Sequence, residues 1–218
     1  MKIDVAAHIG AVERGSRLGE RDGEPVRVVT AGRTYATSVE ELWDAVTNAE
    51  RIPRWFLPIE GDLKPGGRYQ LQGNAGGEIL ECQRPTHLAV TWEYAGTVSW
   101  LTVRLEAVGA DRARLELEHS FREDAHWEQF GPGATGVGWD MGLMGLGEHI
   151  ASSAPRDPAA AMAWMMSDEG HEFIRRSAGH WQEADGAAGT AAETAAARAR
   201  QTVAAYTGQS PDEQSAEG

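Results

Sequence analysis

The sequence is poor in cysteine and has no long apolar run. Cys82 is its single cysteine, so no disulfide can form within the chain, which is compatible with a reducing compartment. No stretch of about 18 apolar residues is present, and the first residues do not combine a basic start with an apolar segment. We therefore expect no membrane span, no secretory signal and a cytoplasmic location.

Positive charge is scarce relative to negative charge. The chain has 20 Lys and Arg against 33 Asp and Glu, which gives a formal net charge of -13. DNA, RNA and anionic membrane surfaces are bound by clusters of Lys and Arg. The composition therefore argues against a nucleic-acid partner, and we interpret the acidity as a contribution to solubility.

The middle of the chain has the period-2 alternation of half-buried strands. It is clearest in residues 98–108 and 112–121, where apolar residues such as Leu115 and Leu117 alternate with charged ones. Three shorter segments, residues 69–72, 78–82 and 88–94, are also predicted to be strands. Near the start, residues 3–11 and 26–37 are predicted to be extended and to form a hairpin around Asp22-Gly23, a dipeptide suited to tight turns.

Helices are predicted on both sides of the strands. Ser38 and Glu41 form a capping box ahead of an apolar stripe at helical spacing, and a short helical turn follows around residues 52–57. After Pro132, a glycine-rich segment is predicted to be a helix whose apolar stripe consists of Trp139, Leu143, Leu146 and Ile150. So many interior glycines indicate either close backbone packing or space left for something else.

The C-terminal part is predicted to be a helical extension. It begins at Asp157-Pro158, and Thr190 with Glu193 marks a second capping box ahead of an alanine-rich helix that ends near Gly208. We divide the chain into a domain at residues 1–153, with the N-terminal hairpin at 1–37, a helical extension at 154–208 and a disordered tail at 209–218.

Four motifs follow one another in the chain: TSVEELWDAVTNAERIPRWF, GDLKPGGRYQL, GGEILECQRPTHLAVTWEY and a final helix that begins GVGWD. In this order they resemble the family named for the activator of the heat-shock-protein ATPase. The resemblance covers roughly residues 26 to 151, and its anchors are Trp43, Trp55, Gly66, Gly67, Pro85, Trp92 and Trp139. That family belongs to the START-like, helix-grip superfamily.

The resemblance implies an α+β helix-grip fold, with a curved antiparallel sheet of six or seven strands wrapped around a long C-proximal helix. It also implies a cavity between sheet and helix that holds a small apolar or aromatic molecule. Two alternatives stay open: a cyclase, aromatase or hydrolase that uses the same cavity, and a co-chaperone-like or stress-response module that binds a protein through the helical tail. The oligomeric state, including a homodimer, also stays open.

His119 is the first candidate for a site residue. It lies on the same predicted face as Leu115 and Leu117, so its imidazole is expected to point to the interior or to the mouth of the cavity. Such a histidine can orient a ligand carbonyl or act as a general base, and it can equally be a hydrogen-bonded histidine of the core. Asp140 is the second candidate for acid–base chemistry.

The remaining candidates are aromatic or apolar. The segment from His126 to Gly133 is predicted to be a loop that covers the cavity, with a structural role in the core as the alternative. The candidate ligand-binding residues are Trp92, Trp100, His119, His126, Trp127, Phe130, Trp139 and Leu143.

No metal or cofactor is expected. His119, His126, Glu128 and His149 do not form a short metal-ligand motif. The sequence also lacks the Gly-x-Ser-x-Gly motif of serine hydrolases.

Overall fold

An eight-stranded curved antiparallel sheet is the centre of the α+β fold in the computed structural model, which describes residues 3–155 and 157–209. The order in the sheet is β1-β2-β8-β7-β6-β5-β4-β3. The strands are β1 Val12–Arg21, β2 Glu24–Tyr35, β3 Ile59–Gly61, β4 Arg68–Leu71, β5 Gly76–Gln83, β6 His87–Tyr94, β7 Thr97–Gly109 and β8 Arg112–Phe121.

Seven α-helices and one 3₁₀ turn are found among the described residues. They are α1 Val5–Gly10, α2 Val39–Thr47, the 3₁₀ turn Ile52–Arg54, α3 Ala125–Phe130, α4 Gly133–Ser152, α5 Pro158–Met165, α6 Asp168–Ala187 and α7 Ala192–Thr207. None of the helices in the described part of the chain combines the length and apolarity needed to cross a membrane.

The predicted helix starts are confirmed at two positions. Ser38 caps α2, because its hydroxyl accepts a hydrogen bond from the backbone N–H of Glu41 at 3.2 Å. Asp157 caps α5 through the backbone N–H groups of Ala159 and Ala160. The capping box predicted at Thr190 is wrong, since Thr190 Oγ1 donates to Asp185 Oδ1 at 2.7 Å and α7 has no side-chain cap.

The N-terminal segment also differs from the prediction. Residues 3–11 are not a strand, because the Asp4 carboxylate caps the short helix α1 by accepting from the N–H of Ala7. The hairpin therefore starts at Val12, and its turn lies at Asp22-Gly23 as predicted, with φ of 54° and 79°. Both φ angles lie in the left-handed region, which such tight turns require.

The sheet has one more strand than the upper predicted number. The additional strand is β3, which has three residues and pairs with β4 from Ile59↔Leu71 to Gly61↔Tyr69. Three residues are too few for the alternation that predicts a strand from sequence.

The chain forms two compact units, each discontinuous in sequence. The described residues of the first unit are 3–31, 122–141 and 157–209, and those of the second are 32–121 and 142–155. The predicted boundary after residue 153 concerns the extent of the common family domain, and it stays a prediction. Most of the tail predicted to be disordered lies outside the described residues.

In the first unit, helix α6 supplies a core of large side chains. Phe173, Ile174 and Trp181 are buried. The Trp181 indole lies directly over the backbone of α4 at Gly136, where the side chain of any other residue would overlap the ring. Glycine at this position therefore permits close packing of α4 against α6.

In the second unit, β8 shows the alternation that the sequence predicted. Leu115 and Leu117 are buried, whereas the alternating residues Arg114 and Glu116 are half-buried. Glycine again permits close approach to α4, because a side chain at Gly147 would overlap the Arg33 guanidinium. The glycines of α4 thus serve close packing at these positions, which was one of the two predicted explanations.

Substitution of Gly136 tests this packing. We expect Gly136→Ala to lower the free energy of unfolding by about 1–3 kcal/mol, because the new methyl group displaces the Trp181 ring. The matched control is Gly179→Ala in α6, where an added methyl group meets nothing within 4 Å. This control should be neutral or stabilising by about 0.5–1 kcal/mol. Urea denaturation measures both variants, and equal stability of the two would contradict the packing.

Candidate functional site

His119 lies on the inner face of β8 and is buried, with 6% of its surface exposed. The register of the sheet sets its surroundings, since His119 pairs with Leu101 of β7 and Trp92 of β6 pairs with Ser99. Trp92, Ser99, Leu101 and His119 therefore share one face of the sheet. The prediction that His119 points inward agrees with this register.

The hydrogen bonds of Ser99 define the tautomer of His119. Ser99 Oγ donates to the carbonyl oxygen of Trp92 at 3.0 Å, and it lies 2.8 Å from His119 Nε2. A hydroxyl group has a single proton to donate, so Ser99 must accept the second hydrogen bond from Nε2–H. The imidazole is therefore in the Nε2–H form, and its Nδ1 carries the lone pair.

Burial keeps the imidazole of His119 uncharged. Removal from water disfavours the protonated ring and lowers the pKa of His119 from 6.5 to about 4. At neutral pH the side chain is a neutral group with one N–H donor and one acceptor nitrogen.

Two aromatic rings flank His119. The Trp92 ring lies 5.8 Å from the imidazole, centroid to centroid, and the Phe121 ring lies 5.6 Å away on a neighbouring position of β8. Both rings meet the imidazole edge to face, and both are half-buried. The result is an aromatic cluster, Trp92–His119–Phe121, on the inner face of the second unit.

Trp100 does not belong to this cluster. It pairs with Thr91 and Ser120, so the alternation of β7 directs its side chain to the face opposite that of Ser99 and Leu101. The sequence analysis grouped Trp100 with Trp92 and His119 as ligand-binding candidates, and the register separates them.

Asp140 lies in the first unit, as part of a buried polar network. Its Oδ2 accepts hydrogen bonds from Arg14 Nε at 2.9 Å, Ser177 Oγ at 2.5 Å and Trp181 Nε1 at 3.1 Å. The Arg14 guanidinium is itself anchored, since its remaining nitrogens donate to the carbonyl oxygens of Ile9 and Val12. The network ties α1, β1, α4 and α6 together.

The carboxyl group of Asp140 is therefore poorly suited to acid–base chemistry on a substrate. Burial raises its pKa, while the Arg14 charge and the hydrogen bonds from Ser177 and Trp181 act in the opposite direction. Asp140 is 1% exposed, and within the described residues its Oδ1 accepts no hydrogen bond. We interpret Asp140 as a structural ion-pair partner of Arg14.

The predicted covering loop is a helix instead. Residues 125–130 form α3, which Asp124 caps by accepting from the N–H of Trp127 at 2.9 Å. Trp127 is 1% exposed and lies between the guanidinium groups of Arg27 and Arg198, at 5.2 and 5.8 Å from its ring. Trp127 therefore packs in the core of the first unit.

His126 and Phe130 lie together at the surface of the first unit. Their rings are 4.9 Å apart, and they line an open groove of about 330 Å³. The other residues of the groove are Ala134, Thr135, Ala205 and Tyr206. The structure thus assigns His126 and Phe130 to the first unit, whereas Trp92 and His119 belong to the second.

The two candidates on α4 differ in burial. Leu143 is buried in the second unit, where its carbonyl oxygen accepts from Arg33 Nη1 and from the Tyr35 hydroxyl, each at 3.1 Å. Trp139 is half-buried in the first unit. Across residues 3–155 and 157–209, no group of three His, Cys, Asp or Glu side chains is arranged to hold a metal ion.

Two residues next to His119 were not predicted: Phe121, which belongs to the aromatic cluster, and Ser99, which contacts the imidazole. The alternation of β8 alone places Phe121 on the face of His119. The contact between Ser99 and His119 requires the register between the two strands, which no local pattern of the sequence supplies.

Two solved structures of CalU16 from Micromonospora echinospora are similar to this chain, at 32% sequence identity. The crystal structure has a TM-score of 0.65 and covers 80% of this chain and 98% of CalU16. The solution NMR structure has a TM-score of 0.70 and covers 82% and 97%, respectively. No curated protein sequence matches the chain significantly.

Two further structures share the fold at lower identity. An HSP90 activator from Plasmodium falciparum is 22% identical, with a TM-score of 0.50 over 60% of this chain and 99% of that protein. DynU16, a protein of the dynemicin biosynthetic locus, is 18% identical, with a TM-score of 0.52 over 59% of this chain and 48% of that protein.

The family that the sequence motifs resemble is the one that the comparison identifies. Its sequence model, described as Activator of Hsp90 ATPase homolog 1-like protein, matches residues 36–151, which is more than half of the chain. Together with the likeness to CalU16, this match shows that the chain belongs to the Activator of Hsp90 ATPase homolog 1-like family.

Proposed function

We propose that the protein binds a small apolar or aromatic molecule against the inner face of strands β6 to β8. In this proposal the ligand lies beside the aromatic cluster Trp92–His119–Phe121, between the sheet and residues 142–152 of α4. The observation that carries the proposal is a buried, neutral imidazole flanked by two aromatic rings that are themselves only half-buried.

Uncovered apolar surface on the inner face supports the proposal. Leu101, Leu105 and His119 are buried, but Leu88, Trp92, Val103 and Phe121 on the same face are half-buried. Covering such surface with an apolar ligand gains about 25 cal/mol per Å² of area removed from water. Offset or edge-to-face contacts with Trp92 and Phe121 favour a ligand with a flat ring.

The chemistry of His119 favours binding over catalysis. A general base works best when its pKa is close to the operating pH, and the pKa of His119 is about 4. A neutral imidazole can instead lie next to an apolar ligand at a lower desolvation cost than a charged one. Asp140 is committed to Arg14, Ser177 and Trp181, so it is poorly placed to act as the acid of a cyclase or hydrolase mechanism.

The relatives are compatible with a small-molecule ligand but do not name one. DynU16 belongs to a biosynthetic locus, and its likeness to this chain concerns the fold. The family name and the HSP90 activator from Plasmodium falciparum point to a protein partner as the alternative, again at the level of the fold.

Two tryptophan substitutions test the site. Trp92→Phe should weaken the binding of naphthol, used as a flat aromatic probe, by about tenfold, because ring area next to His119 is lost. Trp100→Phe is the matched control, since Trp100 lies on the neighbouring strand but on the opposite face of the sheet. Its affinity for the probe should equal that of the unchanged protein. Isothermal titration calorimetry measures the three dissociation constants.

The proposal fails if the unchanged protein does not bind flat aromatic compounds, naphthol included, and carries no small molecule in native mass spectra after gentle purification. It also fails if Trp100→Phe weakens binding as much as Trp92→Phe does. Circular dichroism confirms that both variants are folded.

The neutral state of His119 predicts a pH dependence of stability. In the unfolded chain the imidazole binds a proton below about pH 6.5, whereas in the folded protein it does so only below about pH 4. Above about pH 6.5, His119 therefore has no effect on the free energy of unfolding. As the pH falls from about 6.5 to about 4, protonation of the unfolded chain lowers this free energy. The loss reaches roughly 3 kcal/mol at the lower end.

Replacement of His119 isolates this contribution. Both proteins should lose stability between about pH 7 and about pH 4. The loss in free energy of unfolding should be smaller in His119→Gln than in the unchanged protein, and the difference should be roughly 3 kcal/mol. Urea denaturation at a series of pH values measures the difference. Parallel curves for the two proteins would show that the imidazole is not held neutral.

A further inference from the structure

Residues 153–155, which follow helix α4 in the second unit, are held by two basic groups. Arg54 Nη2 donates to the carbonyl oxygen of Ser153 at 2.5 Å, and His149 Nδ1 lies 3.5 Å from the carbonyl oxygen of Ala154. Ser153 has a φ of 54°, in the left-handed region that is unfavourable for serine. The conformation of this segment therefore depends on its contacts.

Arg51 fixes the tautomer of His149. Its Nε and Nη2 lie 3.2 and 3.1 Å from His149 Nε2. A guanidinium group can only donate hydrogen bonds, so Nε2 must carry a lone pair and the proton must lie on Nδ1. This is the tautomer that can donate from Nδ1 to Ala154.

Two carboxylates of α2 hold Arg51 in place. Its Nη1 donates to Asp44 Oδ2 at 2.8 Å, and its Nη2 donates to Glu41 Oε1 at 2.7 Å. The guanidinium is therefore not free to turn away if His149 acquires a proton. An imidazolium would direct an Nε2–H group at the donors of Arg51, and it would face the positive charges of both Arg51 and Arg54. The protonated ring must therefore move away from Arg51, and its Nδ1–H then leaves the carbonyl oxygen of Ala154.

We propose that His149 and Arg51 form an acid-sensitive latch, in which protonation of His149 releases residues 153–155 from α4 and from the 3₁₀ turn Ile52–Arg54. The charged groups around the imidazole are Arg51 and Arg54, which oppose its protonation, and Glu41 and Asp44, which are already paired with Arg51. His149 is 3% exposed, and burial is the largest cause of its lowered pKa. The charges of Arg51 and Arg54 lower this pKa further, whereas the hydrogen bond to Ala154 and the charge of Glu41 act in the opposite direction. Release accordingly takes place below the ordinary titration range of histidine.

Hydrogen exchange of the full chain tests the latch. The reporters are the amides of Ser153, which donates to the His149 carbonyl oxygen at 2.8 Å, and of Ala154, which donates to Ser152 Oγ at 3.2 Å. Between about pH 7.5 and pH 4.5, after correction for intrinsic exchange, their protection should fall by about tenfold or more. Amides of β7 and β8 should stay protected in the same samples.

Two glutamine variants separate the latch from general acid effects. His149→Gln keeps an acceptor for Arg51 but does not titrate, so protection at Ser153 and Ala154 should no longer depend on pH. His180→Gln is the matched control, because His180 is an exposed histidine of α6 in the first unit. This control should retain the pH dependence of the unchanged protein.

Three results would overturn the proposal: unchanged protection of residues 153–155 at low pH, loss of protection in β7 and β8 before that segment responds, or a pH dependence that persists in His149→Gln. If His149→Gln is unstable by circular dichroism, Arg51→Met provides the second measurement. Without the Arg51 guanidinium, a protonated His149 can stay in place, so protection of the segment should fall much less at low pH. A fall as large as in the unchanged protein would also contradict the latch.

Discussion

Burial of an uncharged imidazole on the inner face of the sheet is the constraint on which the candidate site depends. His119 is placed there by the alternation of β8, and Ser99 on the paired strand accepts a hydrogen bond from its Nε2–H. Because the ring is neutral, it can remain among Trp92 and Phe121 without a counter-ion. A charged group at this position would require a partner and would no longer offer an apolar surface.

Helix α4 supplies the second constraint, through glycine. At Gly136 it admits the Trp181 ring in the first unit, and at Gly147 it admits the Arg33 guanidinium in the second. The cost of glycine in a helix is about 0.5–1 kcal/mol for each residue relative to alanine, and close packing offsets it. The glycine content of α4 at these positions thus has a structural explanation that does not require an empty space.

Much of the fold could be predicted from the sequence, because period-2 and helical patterns are local. The strands around His119, the cap at Ser38 and the glycine-rich helix follow from such patterns. Helix α1 was missed because it has only six residues and is held by Arg14, which donates to the Ile9 carbonyl oxygen and is itself paired with the distant Asp140. Local patterns do not record such contacts.

The site could be predicted only in part, and for the same reason. Alternation gives the inward direction of His119, and it also places Trp100 on the opposite face once the neighbouring residues are followed. The partnership of His119 with Ser99 depends on strand register, and the burial of Trp127 depends on Arg27 and Arg198 from distant parts of the chain. Strand alternation gives the direction of a side chain and carries no information on which molecule the proposed site binds.

An NMR titration of the His119 imidazole with naphthol tests the central claim most directly. The account predicts that the nitrogen resonances at neutral pH are those of a neutral Nε2–H ring, and that they shift and saturate as naphthol is added while the Trp100 indole resonance stays unchanged. A protonated ring, or a saturating shift at Trp100 with none at His119, would contradict it.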